Sequence, residues 1–387
     1  MTCSQTIAFL GGAYLSDEST GIDGTQVQMY MLSRAFAKHG LTVHYIAKTK
    51  SKSPAVDDGD GVRLHWIHAP GLWAYWWQDV GAAWRHLDRI KPDVVYQRGR
   101  SSLTYAAAVW ARRNGARFVW ASNGEDSCDF WRNISRTWRS ARPLWKKSLL
   151  SLYFVVPDIL IHRGIRASDR VINQTAHQKK QLKQNYGKDG IVLPSLFPTP
   201  SVGPAQSEKL VLWLANAGPG KQPHLFAELA ARCADVADWR FVLAGRIVES
   251  RYGISLRQRI DQLPNVEAVG AVPFKASEDW YQRAAIFVNT SLPGSDGLPN
   301  AFLQAWHGGA VILSLHHDPN GWLAEKGIGF CANGDFEALV ARALELITSP
   351  QELRDISDRG RNFAQKTFDN ENIIENYILV FFANKGP

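Results

Sequence analysis

Residues 289–309 (NTSLPGSDGLPNAFLQAWHGG) hold the densest set of side chains able to do chemistry. An apolar strand runs into a glycine-rich loop, and the helix that follows ends on Gly308-Gly309. Asp296 falls where loop meets helix, and Pro299 suits the first helical turn, which has no use for the amide proline lacks. The amides of Gly297, Leu298 and Asn300 are expected to point outward at the positive end of the helix dipole. Such an end binds anions, and a diphosphate suits it. Asn300 and Gln304, one turn apart on one face, can both bond a ribose or a base edge. Asp296 also has a plainer use, as the cap of the helix it precedes.

A second candidate is Lys221, which closes the run LWLANAGPGK at 212–221. A lysine on a glycine-rich loop after a strand can approach a phosphate closely and balance the charge of a departing diphosphate. The competing reading is a solvated surface lysine.

These residues need a frame. Apolar, β-branched runs at Ile7–Leu10, Thr42–Ala47, Asp93–Tyr96, Arg117–Ala121 and Ala167–Ile172 alternate with helical patterns near Thr25–His39, Ser101–Asn114 and Thr175–Gln184. The alternation restarts after Leu196–Glu208, a Pro/Ser/Gly-rich stretch read as a linker. Strands are expected at Leu210–Leu214, Arg240–Ala244, Val266–Val269, Ile286–Asn289 and Val311–Leu315. Helices follow Pro223 and Pro299, another begins at Asp335, and Glu352–Phe382 reads as helical throughout. Such alternation predicts parallel sheets with helices on both faces, and 387 residues are too many for one core. Two doubly wound domains are predicted, at 1–200 and 201–367, with the helix of 368–387 packing back on the first. A ligand cleft is expected between them.

The 289–309 segment resembles the retaining glycosyltransferases of family 4, which have the GT-B fold of two Rossmann-like domains facing a central cleft. Their frame Glu-Gly-x-Pro-Asn-x-x-x-Glu-Ala is met here by Asp296, Gly297, Pro299, Asn300, Gln304 and Ala305. Both acidic positions depart, one to Asp296 and one to the uncharged Gln304. The resemblance implies that Asp296 contacts the donor sugar and that Gln304 holds ribose hydroxyls. Lys221 matches a family lysine on the donor diphosphate, whereas Asn216 stands where the family has arginine, with Arg246 as a substitute cation. In the first half, Gly24 and Thr25 resemble a glycine-rich loop over the donor phosphate, or simply start a helix. Asn123, in Asn123-Gly124-Glu125-Asp126, stands where the family often has a histidine contacting the donor sugar, which makes it a catalytic candidate beside Asp296 and Lys221. His177 reads as a helix-surface residue.

Residues 131–153 form another constellation. No acid lies between Asp129 and Asp158, while Arg132, Arg136, Arg139, Arg142 and Lys146 fall on one predicted helical face. Trp138 and Trp145 lie roughly opposite with Ile134, Leu149 and Leu152, and Pro143 must kink or split the helix. Basic residues with tryptophans describe a helix in a membrane interface, near an acceptor surface, and Trp73, Tyr75, Trp76 and Trp77 would extend it. The plainer reading is a helix packed on its own domain with solvated arginines. Nucleic acid is disfavoured, because the arginines oppose the aromatics instead of interleaving with them. The apolar run Ser148–Val156 is too short to span a bilayer, so no crossing is expected.

The four cysteines show no metal or disulfide spacing, and the N-terminus shows no leader pattern, so a cytoplasmic location is expected, peripheral on the inner membrane face at most. The expected activity is sugar transfer, with retention, from a nucleoside-diphosphate sugar to a hydroxyl of a saccharide or lipid-linked acceptor. No cofactor is called for and no metal, since no Asp-x-Asp pair stands out. Closure of the two domains would exclude water from the donor. Alternatives are a nucleotide-sugar epimerase or hydrolase of the same fold, or a degenerate nucleotide-sugar-binding protein.

Overall fold

A computed structural model describes residues 5–15, 24–49, 56–57, 60–68, 76–140, 142–197, 208–236, 238–294 and 296–382. The chain divides into two units, Met1–Leu196 with Asn370–Pro387, and Phe197–Asp369.

The first unit is built on strands β1 (Thr6–Leu10), β2 (Thr42–Thr49), β3 (Val62–His68) and β4 (Val94–Arg98), then β5 (Arg117–Ala121), β6 (Arg170–Asn173) and β7 (Ile191–Val192). All pair in parallel in the order β3-β2-β1-β4-β5-β6-β7. Its helices are α1 (Gly24–Lys38), α2 (Trp76–Ile90), α3 (Ser102–Asn114), α4 (Arg132–Arg139), α5 (Leu144–Arg166) and α6 (Ala176–Tyr186). The central strands are apolar on both faces because helices cover both, with Ile7 through Leu10 fully buried.

The second unit repeats the plan with β8 (Glu208–Leu214), β9 (Arg240–Ala244), β10 (Val266–Gly270), β11 (Ala284–Asn289), β12 (Val311–Ser314) and β13 (Gly329–Cys331). Their order is β10-β9-β8-β11-β12-β13, again parallel. Around them run α7 (Pro223–Arg232), α8 (Arg251–Ile260), α9 (Phe274–Arg283), α10 (Asn300–Gly308), α11 (Trp322–Glu325), α12 (Phe336–Thr348) and α13 (Pro350–Thr367). The predicted doubly wound architecture is found. In each sheet the order reverses once, between β1 and β4 and between β8 and β11, and each reversal opens a crevice at the strands' C-terminal ends.

Two expectations need correction. Glu352–Phe382 is not one helix: α13 stops at Thr367, and α14 (Asn370–Phe382) starts anew and belongs to the first unit. There Phe381 packs edge-on to Phe36, and its carbonyl accepts from Arg117 at 2.6 Å. The split expected at Pro143 is found, with α4 ending at Arg139 and Pro143 preceding α5. The apolar run at 148–156 is part of a 23-residue helix, which is long and apolar enough to cross a membrane. Its C-terminal half, however, belongs to the domain core: Asp158, Ile161 and Ile165 are buried, and a Cβ on Gly164 would lie 2.9 Å from the Thr104 carbonyl oxygen.

Candidate donor-binding site

The crevice between β8 and β11 gathers the second unit's chemistry. β8 delivers the loop that carries Lys221, and β11 delivers the loop that carries Asp296. Lys221 Nζ lies 2.9 Å from Asp296 Oδ1 and 2.6 Å from Oδ2, a forked ion pair between the two loops. Each side chain keeps a solvent face, at 33% and 22% exposed.

A shared hub fixes both loops. Trp213 Nε1 donates to Thr290 Oγ1 at 2.9 Å, and that hydroxyl donates onward to the Lys221 carbonyl at 2.7 Å. Leu292 N donates to the Gly220 carbonyl at 3.0 Å, which stitches the loops a second time. Gln222 takes the left-handed conformation (φ 47°) to turn the chain from this loop into α7.

Burial by itself would raise the Asp296 pKa, but Lys221, His317 and a hydrogen bond from Ser291 together outweigh it and hold the carboxyl below its ordinary value. Asp296 is therefore a carboxylate at neutral pH. His317, which the sequence reading passes over, sits three residues past β12. Its Nε2 lies 3.0 Å from the Leu292 carbonyl, and burial lowers its pKa against the pull of Asp296. The signal available was a His-His pair at the end of a buried strand.

Several sequence-predicted roles change. Asp296 is not a helix cap: α10 starts at Asn300 after Pro299, with no side-chain cap. Gly297 and Leu298 thus precede the helix in a buried turn, so of the three predicted amide donors Asn300 alone is at the helix start. Gln304, one turn on from Asn300, donates its amide to Ser277 Oγ on α9 at 3.1 Å. The remainder of the motif is core. Phe302, Leu303 and Trp306 are buried, and a Cβ on Gly308 would come within 2.4 Å of the Tyr281 carbonyl oxygen. Asn216 and Arg246 are neighbours at the ends of β8 and β9, where Ala217 N donates to the Arg246 carbonyl at 3.0 Å and the Arg246 side chain is exposed.

In the first unit, Asn123 follows β5 and its Nδ2 donates to Thr25 Oγ1 at the start of α1, at 3.1 Å. Its buried Oδ1 has no donor among the described residues. Gly24 opens α1, while Gly21 to Asp23 lie outside the described residues. Asp126 is committed elsewhere, accepting from Arg132 Nε at 2.9 Å and Arg136 Nη2 at 3.0 Å. This corrects the predicted basic face: Arg132 is buried and Arg136 is paired with the same Asp126, whereas Arg139, Arg142 and Lys146 stay exposed. His177 is exposed on α6. The side chains of Trp73, Tyr75, Trp76 and Trp77 lie outside the described residues.

Residues 22–194 match the family model described as Glycosyltransferase Family 4, and residues 208–349 match that described as Glycosyl transferases group 1. No curated protein matches the chain in sequence. Among solved structures, sucrose-phosphate synthase of Thermosynechococcus elongatus superposes with TM-score 0.72 at 14% identity, covering 97% of this chain and 98% of that one. HepE of Anabaena, solved with UDP and glucose, gives 0.69 at 15% identity over 97% and 99% of the two chains. WaaG, a glycosyltransferase involved in lipopolysaccharide biosynthesis, gives 0.68 at 13% over 98% and 100%. Both halves match glycosyltransferase models and both sheets have the doubly wound order; the chain is a glycosyltransferase of the GT-B type.

Proposed function

We propose that the protein moves a sugar from a nucleoside-diphosphate sugar to a hydroxyl of a saccharide or lipid-linked acceptor, with retention at the anomeric carbon. The observation that carries this reading is the Lys221–Asp296 pair at the reversal between β8 and β11. Without ligand, Asp296 neutralises Lys221. A diphosphate entering the crevice competes for the ammonium and brings more charge than one carboxylate does. Lys221 then stabilises the oxyanion that forms as the bond from sugar C1 to the diphosphate breaks. Asp296, released from Lys221, is left to accept hydrogen bonds from sugar hydroxyls. The acceptor oxygen bonds to C1 on the face the diphosphate leaves, and its proton passes to the departing phosphate oxygen.

Asn300 and Gln304 suit the ribose or base, with Gln304 held at the required height on α10 by Ser277. In the first unit a sugar hydroxyl is the group that would satisfy Asn123 Oδ1. The reading needs no metal, because Lys221 and the α10 N-terminus carry the charge balance. It places the work in the cytoplasm, where nucleotide sugars are held. That HepE was solved with UDP and glucose supports a nucleotide-sugar donor.

The test is calorimetric titration against UDP, GDP, dTDP and ADP sugars, followed by NMR of the product anomer with and without acceptor. One base should bind selectively, more weakly in Lys221→Ala. If well-folded protein binds none of them, the transferase reading fails; turnover without acceptor would favour an epimerase or hydrolase.

A further inference from the structure

The α4–α5 hairpin of the first unit is apolar where it should be polar. Eight of the fourteen exposed large hydrophobic side chains among the described residues lie between Trp131 and Val156. Along α5, Trp145 (65% exposed), Leu149 (63%), Leu152 (74%) and Val156 (54%) recur at spacings of four, three and four, which makes one continuous helical stripe. Leu144 and Trp138 widen it at the turn of the hairpin. A soluble surface rarely leaves so contiguous an apolar strip uncovered.

The charges carried by the hairpin segment itself are of one sign up to Pro157. Arg139, Arg142 and Lys146 are exposed beside it, and no acid occurs from Phe130 to Pro157. Lys146 Nζ lies 5.1 Å from the Trp145 ring centroid, and Lys147 Nζ ties the hairpin by donating to the Trp138 carbonyl at 3.0 Å. The same helical stripe then changes character, since Ile159, Arg163 and Arg166 continue it past Val156. With Arg112 of α3 these residues border a cleft of about 580 Å³. The stripe is thus apolar from Trp145 to Val156 and carries cations of its own only past that point, toward the domain.

The root of the hairpin is fixed. Asp158 accepts from Asn133 N (3.1 Å) and Asn133 Nδ2 (2.8 Å) at the start of α4, and pairs at 3.3 Å with fully buried Arg100. Only Leu144 to Val156 stand clear of the core, a length of about 20 Å at 1.5 Å per residue, against roughly 30 Å of hydrocarbon in a bilayer.

We infer that this hairpin is a one-sided membrane foot, which inserts the Trp145–Val156 strip among the acyl chains of an anionic phospholipid surface and sets Arg139, Arg142, Lys146, Arg163 and Arg166 against its headgroups. A protein partner would also cover apolar surface, but the arginines and lysine along the strip and the tryptophans near its outer end match a lipid interface. The inference concerns a partner and stands whether or not the chain turns over a donor.

The test is vesicle co-sedimentation of the full chain, with phosphatidylcholine alone and with phosphatidylglycerol added. The variants are Leu149→Glu/Leu152→Glu and Arg163→Gln/Arg166→Gln, and light scattering reports the oligomeric state. Binding is expected on the anionic vesicles and should fall on the order of tenfold with either variant or with high salt. Circular dichroism and nucleotide-sugar binding should be unchanged, which separates lost docking from lost fold. Absence of vesicle binding by the wild type overturns the proposal, as does salt-insensitive binding to phosphatidylcholine alone. A dimer that Leu149→Glu/Leu152→Glu dissociates, with no vesicle binding, would reassign the strip to contact between copies of the chain.

Discussion

Lys221 and Asp296, 75 residues apart in sequence, are joined through two contacts, 2.9 and 2.6 Å, between the loops that leave β8 and β11. Both side chains keep solvent access, so the pair contributes about 1 kcal/mol or less to stability. Its placement at the reversal of strand order is better explained by ligand than by folding.

Lys221→Ala should therefore lower transfer, with kcat/KM falling roughly a hundredfold or more, while the melting temperature moves little. Steady-state kinetics beside thermal unfolding checks this. A large drop in melting temperature with unaltered kcat/KM would make the pair structural.

Asp296→Asn separates binding from turnover. The substitution removes the carboxylate that competes for Lys221, so the nucleoside diphosphate product should bind several-fold more tightly, by roughly 1 kcal/mol. Transfer should still fall, because the contact with the donor sugar is altered. Titration of wild type and variant with the same nucleotide decides the matter; equal or weaker binding by the variant contradicts the competition.

His162 supplies a pH dependence. Stacked on Tyr186, packed at a tilt against Phe130 and buried, it has its pKa lowered to about 4, first by desolvation and then by Arg100 and Arg166. A histidine depressed in the folded state contributes stability that is present above its unfolded pKa of about 6.5 and is lost as pH falls toward 4. The loss amounts to at most roughly 3 kcal/mol from this residue. His162→Phe should flatten part of the fall in melting temperature between those values. An identical pH profile in the variant would show that the loss comes from elsewhere.

Gly308→Ala tests the close packing at the end of the motif. The added methyl would stand 2.4 Å from the Tyr281 carbonyl oxygen, so α10 and α9 must part, at a cost of roughly 1–3 kcal/mol. Thermal unfolding of the variant should show the loss. An unchanged melting temperature would mean that the helices separate freely.

The sequence by itself determined the doubly wound fold, because hydrophobic periodicity and turn residues are local properties and the alternation of strand and helix admits few topologies. It also located Lys221 and Asp296, since loop glycines after a buried strand restrict what can stand there. It did not determine what those residues do to each other. A helix cap was as legible for Asp296 as a ligand contact, and only the adjacency of β8 and β11 brings it to Lys221. The contacts of His317 and Ser277 were illegible for the same reason: each acts through a strand or helix remote in sequence. The basic stripe shows the converse. On a helical wheel Arg132 and Arg136 match Arg139 and Lys146, yet Asp126 pairs with both of the first two, while the second two stay exposed. Charge along a helix is written in the sequence, but which charges remain unpaired is settled by whatever acid the fold brings within about 4 Å, where the Coulomb term is largest.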